Sequence, residues 1–112
     1  MRLRDGVRSD IEVRLGEKIT VQILRPNGLQ DLVNYSLAGT DSPGTKGIAE
    51  DCIFDVTETS ALVITCTPLP GQSGASFAVR VTGDPGTQVS EKDFAQSGTA
   101  AFQAITYNFF VQ

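Results

Sequence analysis

The two thiols are the most versatile chemical groups in this sequence. Cys52 and Cys66 bracket the stretch CIFDVTETSALVITC and are the only cysteines of the chain. Two thiols can form a redox couple, part of a metal site, a disulfide, or a pair of small core residues. Zinc sites of the Cys/His type take about four ligands, and the chain has no His to complete one. The same absence removes Ser-His-Asp and Cys-His nucleophiles and the commonest general base near neutral pH. A disulfide and a reduced core pair remain as the two readings of Cys52 and Cys66.

Other groups with chemical potential lie in two Gly/Asp/Thr/Ser-rich stretches, 39–51 and 83–99. The first contains GTDSPGTKG, which has the outline of a phosphate-binding loop. Gly39 and Gly44 stand at the right spacing, but Thr45 and Lys46 are transposed, and no helical pattern follows whose N-terminus could hold phosphate. Asp41, Glu50 and Asp51 surround the first stretch, and Asp84, Glu91 and Asp93 the second. Calcium takes oxygen ligands at ordered spacings. These acids match no such spacing, and Lys46 and Lys92 lie among them. Two carboxylates about 5–10 Å apart across a cleft could serve glycoside hydrolysis, but nothing in the spacing sets that distance. No metal, cofactor or catalytic residue is therefore expected. If the two stretches are loops on one shared rim, Asp41, Lys46, Asp84, Lys92 and Asp93 are the groups that would meet a ligand.

Strands must position these groups, because the dominant hydrophobic period is two. DIEVRL places Ile11, Val13 and Leu15 on one face, and KITVQIL does the same for Ile19, Val21 and Ile23. GEK between them is expected to be a hairpin turn, with Gly16 at positive φ. RPNGL follows as a turn. LVNYSLAG carries Val33, Tyr35 and Leu37 inward and SFAVRVTG carries Phe77, Val79 and Val81. The segment SEKDFA, capped by Ser90, allows a short helical turn.

CIFDVTETSALVITC is expected to be a hairpin centred on Thr59. That register pairs Val56 with Leu62, Phe54 with Ile64 and Cys52 with Cys66, all on one face, close enough for a disulfide.

The closing strand, AFQAITYNFFVQ, turns Ile105, Tyr107, Phe109 and Val111 to the core. Adjacent strand residues point to opposite faces, so Phe110 leaves the core and shares the outer face with Phe102. That pair is a candidate interface.

About seven strands separated by Gly/Pro turns predict an all-β chain, an antiparallel β-sandwich of immunoglobulin-like or jelly-roll type. LGEKITVQI and the closing YNFFV resemble strands of immunoglobulin-like bacterial accessory domains. The Cys…Trp…Cys signature of antibody domains cannot be met, since there is no Trp.

At 112 residues the chain fits one domain, 1–112, with 1–10 a loosely ordered leading segment. The net charge of −4 argues against a nucleic-acid partner. Arg2, Arg4, Arg8 and Arg14 cluster early but alternate with Asp5, Asp10 and Glu12. No stretch approaches the ~20 apolar residues of a membrane span. MRLRDGVRSD has no apolar core of a signal peptide, which leaves a cytosolic protein or a domain of a longer secreted chain. NYS at Asn34 is a glycosylation sequon in the secreted case.

Two functional expectations follow. One is a non-catalytic recognition module that binds a glycan or protein through 39–51 and 83–99. The other is a structural or assembly subunit or accessory domain whose sheet edges and outward aromatics pair with copies of itself, as a homo-oligomer, or with a neighbouring domain.

Overall fold

The structure, a computed structural model, describes residues 7–38, 42–69, 74–84, 88–97 and 105–112. Nine strands form among them: β1 (Val7–Val13), β2 (Glu17–Asn27), β3 (Leu29–Ala38), β4 (Gly44–Gly47), β5 (Cys52–Val56), β6 (Ser60–Pro68), β7 (Gly74–Thr82), β8 (Gln88–Ser97) and β9 (Ile105–Val111). They make two sheets, one ordered β1-β9-β6-β3-β4 and the other β5-β2-β7-β8. The all-β class is as expected. The strand count is higher because β4 and β8 form within the two stretches read as loops, and β1 extends to within the leading segment at Val7.

The two sheets pack on a shared core that alternation along each strand supplies. Burial in β6 follows Ser60, Leu62, Ile64, Cys66 and Pro68, and in β3 it follows Val33, Tyr35 and Leu37. Ile19, Val21, Val79 and Val81 answer from the four-stranded sheet, all fully buried. Phe54 of β5 meets Phe109 of β9 edge to face, with ring centroids 5.7 Å apart, which ties the sheets together directly.

Two expectations of local pairing are corrected, and the physical reason is shared. The chain repeatedly changes sheet at its tight turns. GEK does not close a hairpin: β1 lies in the five-stranded sheet and β2 in the four-stranded one. The crossing is held by Gly16 N–H donating to the Val56 carbonyl at 2.8 Å and by Glu17 N–H donating to the Arg14 carbonyl at 3.0 Å. Gly16 does take positive φ, 80°. Leu15, expected inward, is 69 % exposed because the alternation breaks at this corner.

CIFDVTETSALVITC is not a hairpin either. β5 pairs with β2, setting Cys52 opposite Val21, and β6 pairs with β3, setting Cys66 opposite Val33. All six residues assigned to one face are buried, but they face each other from different sheets.

SEKDFA is strand rather than helix. It pairs with β7, and Phe94 stacks on Phe77 at 5.4 Å, an apolar contact that a helical turn would forfeit.

One pair departs from the antiparallel expectation. β1 runs parallel to β9, with Ile11 opposite Phe109 and Asp10 opposite Asn108. The Gln112 N–H extends the pair by donating to the Val13 carbonyl at 3.0 Å.

Candidate functional site

The cysteines are two free buried thiols. This corrects the disulfide reading of Cys52 and Cys66 and leaves the reduced core pair. Burial pushes the Cys52 thiol up to about 11, with nearby Lys46 opposing the shift, and the Cys66 thiol up to about 12. A thiol held protonated is a poor nucleophile and a poor metal ligand.

The rim residues are not gathered. β4 is one edge of the five-stranded sheet and β1 is the other. The Lys92 Nζ on β8 donates to Ser9 Oγ on β1 at 2.6 Å, so β8 lies on the β1 flank. Lys46 on β4 therefore sits across the fold from Lys92. Lys92 and Asp93 also diverge, since Lys92 pairs with inward Val79 and Asp93 with outward Ala78. Asp84 lies at the end of β7, where its N–H donates to Glu17 Oε2 at 3.2 Å. Asp41 and Phe102 fall outside the described residues. No group of three or more His, Cys, Asp or Glu side chains suited to a metal ion occurs among the described residues.

The outer faces of the two sheets differ in chemistry. On the four-stranded sheet, charged groups answer one another across neighbouring strands. Lys18 pairs with Asp55 at 3.1 Å, Arg80 with Glu91 at 3.0 Å and Arg25 with Asp93 at 3.1 Å, while Gln22 donates to Asp51 at 3.0 Å. Arg25 holds positive φ, 49°, at the bulge between Leu24 and Asn27, which swings its guanidinium over β8.

The five-stranded sheet shows the opposite pattern. Register places Ala38, Ala61 and Asn108 in one outward row and Ser36, Val63 and Thr106 in the next. Asn34 and Thr65 share a third row, with Thr45 of β4 donating to Asn34 Oδ1 at 3.4 Å. None of these side chains is ionisable. Among the described residues, acidic groups lie at its borders: at β1 Asn108 donates to Asp10 at 3.1 Å and Gln112 to Glu12 at 2.8 Å, and at β4 the Gly47 N–H donates to Glu50 Oε2 at 2.6 Å.

Phe110 stands on this face, 44 % exposed, as its parity with buried Phe109 requires. An open depression lies on each side of the ring. One is lined by Asp10, Ile11 and Glu12, the other by Ala38, Thr59, Ser60, Ala61 and Asn108. The outward position of Phe110 was legible from the FF pair. The depression beside it was not, because it needs the β3–β6–β9 order that brings Ala38 next to Ala61.

No protein-family model, curated protein or solved structure matches this chain.

Proposed function

We propose that this chain is a non-catalytic interaction domain, a single β-sandwich that contacts its partner through the outer face of the five-stranded sheet around Phe110. The immunoglobulin-like and jelly-roll variants both stack two sheets in this way.

The contrast between the two outer faces carries the reading. Protein surfaces away from interfaces are rich in Lys, Glu and Asp, and interface centres are depleted in them while aromatics are enriched. The four-stranded sheet has the first character and the central strands of the five-stranded sheet have the second. Recognition of a glycan or protein through 39–51 and 83–99 is less well supported, because Lys46 and Lys92 lie on opposite flanks.

The test is a photo-reactive amino acid placed at Ser36 on the proposed face and, separately, at Thr20 on the other sheet, in cells that naturally make the protein. Adducts from position 36 that are absent from position 20 are expected. Equal labelling, or none from either, overturns the proposal.

A further inference from the structure

We infer that the partner on this face is a second copy of the same chain, related by a two-fold axis that lies in the interface and runs along the strands. The inference rests on the interaction face proposed above and adds the identity of what covers it.

A two-fold interface must be self-complementary, so every projection needs its recess on the same surface. Phe110 is such a projection, and the depression between Ala38 and Ala61 is a recess one to two strands away. An axis along the strands, midway between them, carries each Phe110 ring into the other copy's depression. Small side chains around it, Ala38, Ala61 and Ser36, let the sheets approach closely without displacing backbone.

Charge fits the same axis. The chain carries a net charge of −4, so two copies repel unless their acidic groups are kept apart. β1 bears Asp10 and Glu12 at one border of the face. The axis keeps levels along the strands, so Asp10 comes over the β3 side of the other copy near uncharged Ala38 and Ser36, while Glu50 lies farther along at the Leu32–Gly47 pair. The two β1 borders end up far apart.

The size of the face sets the affinity class. Five strands at about 4.8 Å spacing, each offering about five residues, give roughly 300–400 Å² per copy in projection, below the ~600 Å² per partner at which stable specific interfaces begin and in the range of transient contacts. The expected dimer is therefore weak and reversible.

Sedimentation velocity on the full chain, from about 10 µM to about 1 mM as suits an interface of this size, tests the inference. The wild type is expected to shift from monomer to dimer across that range. Ala61→Arg, which fills the recess with charge, is expected to raise the dissociation constant at least about tenfold. Phe110→Ser, with its change at an exposed site, provides the same test if Ala61→Arg does not fold. Thr20→Arg on the other sheet is expected to leave association unchanged.

A wild type that stays monomeric throughout overturns the second-copy assignment, as does a dimer indifferent to both Ala61→Arg and Phe110→Ser. Cross-links from position 36 to a different protein, with a monomeric wild type, would refute the second copy and leave the interaction face standing. No cross-links from position 36 would remove the face itself.

Discussion

Phe54 and Phe109 sit on different sheets and meet with their rings inclined at 73°. The next residue, Phe110, turns to the opposite face and is nearly half exposed. Two adjacent phenylalanines thus have separate duties, one in the core and one on the surface. Phe109→Ala removes a fully buried ring and is expected to cost about 3–5 kcal/mol of unfolding free energy. Phe110→Ser should change stability of the monomer by less than about 0.5 kcal/mol, as surface substitutions do. Urea titration at low protein concentration, below the range of self-association, checks both values.

Tyr35 of β3 is fully buried with Cys52 and Cys66 nearby, and its hydroxyl makes no hydrogen bond. A buried hydroxyl without a partner loses its hydration and gains nothing in exchange. Tyr35→Phe is expected to leave stability unchanged or raise it by about 1 kcal/mol. A drop of that size in the unfolding free energy would show that the hydroxyl is bonded.

The buried thiols and phenols make stability fall in alkaline solution. Burial raises Cys52 from 9.0 to about 11 and Cys66 from 9.0 to about 12. It raises Tyr107 from 10.0 to about 12, with Ser90 partly opposing, and raises Tyr35 as well. The folded chain therefore keeps protons that the unfolded chain releases. Their contribution is fully present below pH 9 and is lost as pH rises through the folded values. Between those limits each such group adds a slope of about −1.4 kcal/mol per pH unit. Cys66→Ala should make the pH 9–12 limb shallower by one group's worth, measured by urea unfolding at stepped pH. At pH 8 neither native thiol should react with iodoacetamide until denaturant is added.

Gly16 holds φ at 80°, and a Cβ there would meet no atom within 4 Å. Substitution at this corner isolates the cost of backbone conformation from any clash. Gly16→Ala is expected to destabilise by about 1–2 kcal/mol. Because Gly16 N–H also fastens the crossing to Val56, hydrogen exchange at that amide should accelerate in the variant.

Period-two alternation made the strands and most of the core legible, since it reports which face a side chain takes. Ile19, Val21, Val33, Tyr35, Leu37, Phe77, Val79, Val81, Ile105, Tyr107 and Phe109 are buried as their spacing predicts. Alternation does not report which strand lies alongside. GEK and TETS have the composition of hairpin turns, yet both carry the chain to the other sheet. A tight turn and a cross-sheet corner ask for the same residues, small or tolerant of unusual φ, so composition cannot separate them. Cys52 and Cys66 show the consequence, for the parity that made them partners across a hairpin also buries each of them in the core from a different sheet. β4 and β8 were hidden for a different reason: short or charge-rich edge strands carry little apolar signal. In Glu91-Lys92-Asp93 the charge that guards an exposed edge also masks the strand. The uncharged outer face was written in the sequence as scattered Ala, Ser, Thr and Asn. It becomes one surface only when β9, β6 and β3 lie side by side.

The parallel pairing of β1 with β9 has a consequence for how the chain is made. Asp10 and Asn108 are joined by a hydrogen bond across 98 positions of sequence. During synthesis the first strand has no partner until almost the whole described chain has left the ribosome. The hydrophobic side of β1, Ile11 and Val13, is without its β9 neighbours Phe109 and Val111 for that interval. Closure of so distant a pair is slow, because nearly the full loop must be ordered before the contact forms. The five-stranded sheet is thus completed last at the border with Asp10 and Glu12.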